Sequence, residues 1–333
     1  MYRLRFLITL SLIFITTSHA FAEELLVYSG RKAKFVKPFI EEFSKQTGIK
    51  VKLRSGSSSI LLSSLSLRGE QTGVDIYLGN DVGNLQRGSD FGLFRKLPAE
   101  LVNIVPAKYR SPNNDWISLS ARLRVLVVNT NNPDHSKIDS VMKLADTALK
   151  GRIAITHSNN ESFISGVSSY RHVLKPKQYK EWLQGIKANA EGHVYRKHSH
   201  IVKAVAQNKR AVGLVNHYYA LRHMKKHPDA PIKLVIPDQK TPQMGVAWNL
   251  SGIAITRFSK QPRAAERLVA FLLSADKQKQ FAEINQEYPS RPGVVLAKGV
   301  PAINTMRLIK TPIEEIGRQR EETINEIHAI GLR

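Results

Sequence analysis

Short β-branched runs alternate with longer amphipathic segments along nearly the whole chain, and the fold class follows from that alternation. Leu25-Leu26-Val27-Tyr28 reads as a strand, residues 34–46 as a helix and residues 49–53 as the next strand, with Gly48 stopping the helix between them. A helix over 58–67, a strand over 74–78 and a short helix from Asp81 continue the series. Consecutive βαβ units predict a mainly parallel sheet flanked by helices. Their right-handed crossovers bring the strand-end loops to one edge, where α/β sheets bind ligands. The loops at 29–31, 55–59 and 79–81 should share that edge.

Two longer extended segments, 120–129 and 245–256, interrupt this rhythm. Between them a second series runs: helices over 140–148, 162–174 and 177–188, strand 152–156, helix 201–207, strand 211–216 and a further helix. Beyond them the chain is helical at 262–273, 276–285 and 313–327. The expectation is an α/β protein of two lobes, residues 23–125 plus 252–290 and residues 126–251 plus 291–333. The two extended segments serve as crossover strands, and a cleft lies between the lobes.

The N-terminus carries Arg3 and Arg5, an apolar stretch over 6–15 and Ala20-Phe21-Ala22, the pattern of a secretory signal peptide cleaved after Ala22. No later stretch approaches the roughly 18 apolar residues of a membrane span. With no cysteine, disulfides, thiolate metal sites and a lipid-anchoring cysteine are excluded. A soluble periplasmic protein, not lipid-anchored and monomeric, is expected. Its net charge of +23, or +21 without Arg3 and Arg5, comes from basic residues spread along the chain, which reads as a solvated basic surface and not a nucleic-acid arm.

Gly213-Leu214-Val215-Asn216-His217-Tyr218-Tyr219 ends a strand on two adjacent tyrosines. Packing with the hydroxyls hydrogen-bonded at a surface is the plain reading. The chemical one is a hard cation: a phenol with a pKa near 10 gives up its proton near neutrality only beside strong positive charge, and tyrosinate is an established iron ligand. His193, His198, His200, His217, His223 and His227 fall within 35 residues, and His223 with His227 could meet on one helix face. No Glu completes a zinc-hydrolase motif, and Arg222, Lys225 and Lys226 would repel a cation. No nucleophile-base pair, paired carboxylates or P-loop suggests an enzyme. The serine-rich turn at 55–59 opens a helix and could hold an anion, so a receptor for a small anionic or organic solute, an oxyanion or a thiamine-like molecule, is the alternative.

Several landmarks in order carry a resemblance: Val27-Tyr28-Ser29-Gly30-Arg31, Val74-Asp75-Ile76-Tyr77, Arg122-Leu123-Arg124-Val125, Asn160-Glu161-Ser162-Phe163, Trp182-Leu183-Gln184-Gly185 and Asn216-His217-Tyr218-Tyr219. Together the chain resembles the iron(III)-binding periplasmic proteins of bacterial ABC importers, in the branch with an Asn-His-Tyr-Tyr motif. The resemblance implies a type II periplasmic binding-protein fold that closes on Fe(3+), with a synergistic anion such as carbonate, and delivers the ferric ion or ferric chelate to an inner-membrane permease and its ATPase. It implies Tyr218 and Tyr219 as phenolate ligands and Tyr195 as a third. It implies Arg31 and Arg124 as anion-binding residues, with Ser29 and Asn160 at the cleft. Where many relatives place a first-lobe ligand after Ser-Gly-Arg, this chain has Lys32-Ala33-Lys34. Asp81 is the nearest first-lobe carboxylate, with a helix N-cap as its simpler role.

Overall fold

The structure, a computed structural model, describes residues 24–332. The signal peptide expected at residues 1–22 lies outside the described residues. Ten strands are present in the described chain: β1 Glu24–Ser29, β2 Lys50–Ser55, β3 Ile76–Gly79, β4 Ile117–Asn129, β5 Ile153–Thr156, β6 Val194–Tyr195, β7 Val212–Asn216, β8 Ile232–Val235, β9 Trp248–Ile255 and β10 Tyr288–Pro289. They form one path in the order β2-β1-β3-β9-β4-β7-β5-β6, with β8 and β10 also paired to β4.

The expected parallel units are there: β1 runs parallel to β2 and β3, and β5 parallel to β6 and β7. The long strands are antiparallel to their neighbours, so each lobe's sheet is mixed where it meets the crossing. β4 makes the junction. Residues up to Leu123 pair with β9, and from Arg124 onward the strand pairs with β7 and β8. All thirteen of its residues are buried, Arg122 and Arg124 among them.

Three of the helices expected from periodicity are broken, each for a local reason. The segment 34–46 is a 3₁₀ turn, Ala33–Phe35, followed by the helix Lys37–Thr47, because Pro38 disfavours a helical backbone in the residues before it and starts a new first turn. The segment 140–148 forms two 3₁₀ turns, Val141–Ala145 and Thr147–Leu149. Asp146 between them is extended and accepts from Ala148 N, while Asn189 Nδ2 donates to the Leu144 and Asp146 carbonyls. The C-terminal stretch divides at Gln319 into helices Ile313–Arg318 and Arg320–Ala329. The first of these packs on both Val82–Asp90 and Glu161–Val173, so the C-terminal segment touches helices from both βα series. The core buries Trp116, Trp182, Phe39, Phe43 and Phe163 almost completely, each large apolar side chain contributing about 1.5–3 kcal/mol. Trp182 keeps its indole N–H satisfied on the Val141 carbonyl at 2.9 Å.

The three strand-end loops meet as expected. Gly30 N donates to Leu78 O at 2.8 Å, Gly56 N to Ser29 O at 3.0 Å and Asn80 N to Ser58 Oγ at 3.1 Å. Glycine is required at 30, since a Cβ there would lie 1.8 Å from Ser58 Oγ and 3.2 Å from Asn80 N. Gly30→Ala therefore pushes the Ser58 hydroxyl off Asn80 and is expected to destabilise by about 1–3 kcal/mol, read as a lower urea midpoint. An unchanged midpoint would contradict this close packing.

Candidate metal site between the lobes

β7 ends at Asn216, whose extended backbone (φ −78°, ψ 140°) turns the chain into the helix His217–Lys226. The Asn216 side chain caps nothing because it is used elsewhere. Its Oδ1 accepts from Arg124 Nη1 at 3.2 Å, which fixes the amide so that Nδ2 donates to Tyr218 Oη and to Ser162 Oγ, each at 3.1 Å. Tyr218 is 8% exposed, and its ring centroid lies 4.5 Å from that of Tyr219. The Arg222 guanidinium lies 5.0 Å above the Tyr218 ring and also over Phe35, next to the Lys32-Ala33-Lys34 run.

The Tyr219 hydroxyl is raised well above the ordinary phenol pKa, first by the adjacent Tyr218 and then by burial. The two oxygens cannot both carry charge without a cation to hold them. A hard cation held between the two oxygens would offset that repulsion, and this is the chemistry the geometry offers.

His217, between motif and tyrosines, is not a free ligand. Fully buried, it accepts the Leu123 N–H on Nδ1 at 3.2 Å and donates from Nε2 to Gln286 O at 2.8 Å. Burial holds its pKa at about 4, so it is a neutral strap joining β4 to the segment before β10.

The other sequence-expected residues are dispersed. Arg124 stands at the site through Asn216, with Nε unpartnered and its pKa brought down by burial to about 10. Arg31 does not offer its guanidinium to an anion. Its Nη atoms are bound to both Glu287 carboxylate oxygens (3.0 and 3.1 Å), Ser251 Oγ and Asn285 Oδ1, and the Phe281 ring lies 4.8 Å away. Ser29 Oγ turns back on the Arg31 backbone. Asn160 caps the helix Glu161–Val173 through Phe163 N at 3.1 Å. Tyr195 lies on edge strand β6 beside Thr156, and no hydrogen bond or ring contact among the described residues joins it to the tyrosine pair. His223 and His227 do stack, with centroids 4.7 Å apart, but no group of three or more His, Asp or Glu able to hold a metal occurs among the described residues.

Residues that sequence reasoning passed over complete the picture. Arg122 is 1% exposed, reaches Asn80 Oδ1 at 3.4 Å, and leaves Nε and Nη2 unpartnered. A second arginine, two residues before Arg124 in the long crossing strand, was the available signal. Glu161 spans the lobes: its Oε1 accepts from Ser59 N and Oγ and from Asn84 Nδ2 at 3.3–3.4 Å. Burial and then Asp81 raise its pKa. Asp81 caps Asn84 and also receives Ser165 Oγ, Asn249 Nδ2 at 2.7 Å and Arg320 at 3.6 Å. Ser59, Asn84 and Asp81 belong to the first βα series, and Glu161 and Ser165 to the second. These contacts therefore join the two βα series.

Comparison with known proteins agrees with this architecture. Iron uptake protein A1 of Synechocystis is 26% identical over 302 residues, 89% of this chain and 83% of that protein. The major ferric iron-binding protein of Neisseria meningitidis is 27% identical over 277 residues, 82% of each. The ferric binding protein from Campylobacter jejuni and iron-bound HitA from Pseudomonas aeruginosa each superpose with a TM-score of 0.86, at 26% and 27% identity, over 93% of this chain and all of theirs. The two-lobe, type II periplasmic binding-protein fold is thus shared. Residues 39–306 match the family described as bacterial extracellular solute-binding protein, and to that family the chain belongs.

Proposed function

We propose that this chain is a periplasmic receptor that captures ferric iron in the interlobe cleft and hands it to an inner-membrane ABC permease with its ATPase. The observation that carries the reading is the adjacent pair Tyr218 and Tyr219 at a helix start, with the Tyr218 oxygen already accepting from the Asn216 amide. The relatives named for ferric iron support it. In this reading the two phenolates bind the ion directly, while Tyr195 stands outside the ligand set. Arg122 and Arg124, with unpartnered N–H groups, favour a small anion such as carbonate on the open face of the metal, the role that Arg31 gives up to Glu287. The Glu161–Ser59 and Asp81–Arg320 contacts belong to the closed form that a permease would engage.

Titrating purified protein with ferric nitrilotriacetate and bicarbonate should raise a broad visible tyrosinate-to-iron charge-transfer band that saturates near one iron per chain. Each phenol that loses its proton on binding adds about one log unit of affinity per pH unit, so binding weakens as pH falls. No band at any bicarbonate level would overturn the reading and return the cleft to an anionic or organic solute.

A further inference from the structure

His198 opens the helix His198–Ala206 and is 4% exposed, with its ring centroid 5.0 Å from that of Tyr219. Neither ring nitrogen makes a hydrogen bond of normal geometry, although the Leu214 backbone lies near the ring. Buried imidazoles normally satisfy their nitrogens, and an unpartnered buried polar group carries a penalty of about 1–3 kcal/mol. His217, equally buried, uses both of its nitrogens. His198 is different, and its position beside the tyrosine pair gives the difference a direction.

The charges facing the ring are Arg122 and Arg124 from β4 and His157 from the segment after β5, with the Tyr219 phenol stacked on it. With both ring nitrogens buried and unpartnered, the imidazole keeps an unused lone pair beside the tyrosine pair. Neutral imidazole is the form that binds metals, iron among them.

Resting on the ferric reading above, we propose that His198 is the third protein ligand of the iron, an imidazole nitrogen added to the Tyr218 and Tyr219 phenolates. The set then comes wholly from the second βα series, which accounts for a site that works with Lys32-Ala33-Lys34 in the first lobe. Two phenolates and one neutral nitrogen leave the ferric centre with one positive charge. An anion held against Arg122 and Arg124 compensates that charge.

The test is pulsed electron paramagnetic resonance of protein loaded from ferric nitrilotriacetate with bicarbonate, in natural-abundance and ¹⁵N-histidine forms. Isotope-sensitive nitrogen modulation from a coordinated imidazole is expected in the unaltered protein. His198→Ala and His198→Asn should abolish it and weaken ferric affinity at least about 10–100-fold, the range known for residues that merely support metal ligands, with a phenolate band still present. A loaded protein that shows the band but no histidine nitrogen coupling would overturn the proposal and leave the ferric reading standing, as would variants that keep the coupling. Failure of the band itself would sink the ferric reading instead. The measurement on the unaltered protein does not depend on either variant folding.

Discussion

Tyr218→Phe together with Tyr219→Phe is expected to abolish the visible band and bring iron binding down to the level of adventitious surface association. Phe keeps the ring and its contacts, the 4.5 Å stacking of the pair and the Arg222 face contact included, and removes only the oxygen. Each single variant should lose more than the about 10–100-fold typical of residues behind a metal ligand, because a phenolate contributes both a bond and a negative charge to the ferric centre. The two losses will not add, since the Tyr218 oxygen opposes ionisation of Tyr219 and Tyr218→Phe removes that opposition. Stability should fall by no more than about 1–3 kcal/mol, the cost of the Asn216 N–H that loses its acceptor. A double variant that binds iron with unchanged affinity would show that the pair is packing.

Arg31→Ala should do the reverse, damaging the fold far more than the site. The variant leaves Glu287 buried with Ser120 but without the cation bonded to it, and breaking a buried pair in this way costs about 3–5 kcal/mol. For a chain this size that is a fall in Tm of roughly 5–10 °C. Replacing both partners by apolar residues, Arg31→Met with Glu287→Leu, should cost less than either single change. Burial opposes ionisation of Glu287, but Arg31 and Arg122 outweigh it and hold its pKa below the usual carboxylate value. The pair's contribution is therefore present above the ordinary carboxylate pKa and lost as pH falls through the depressed one. Single variants within about 1 kcal/mol of the unaltered protein in urea unfolding would refute a structural role for Arg31.

The same contrast marks what the residue order could reveal. Periodicity located nearly every long element, including both crossings and the helix opened by the tyrosines, because burial of one face repeats at a fixed interval. It failed where one residue overrules the period, as at Pro38, or where distant side chains hold the backbone, as Asn189 does at Asp146. Local sequence also shows what a residue is without showing what it faces. Arg31 and Arg122 look alike in the chain, yet one meets Glu287, 256 positions away, and the other keeps two N–H groups free. His198 lies 21 residues before Tyr219 and stacks on it only because β7 carries the chain back past the start of its helix. Nothing local distinguishes it from His193 or His200.

β4 passes from one sheet to the other between Leu123 and Arg124, with Arg122 and Arg124 on either side of the change. The crossover and two buried guanidiniums therefore share three residues. On the ferric reading proposed above, a turn of one lobe against the other at this crossover would change the positive field at the tyrosine pair, so affinity would follow shape.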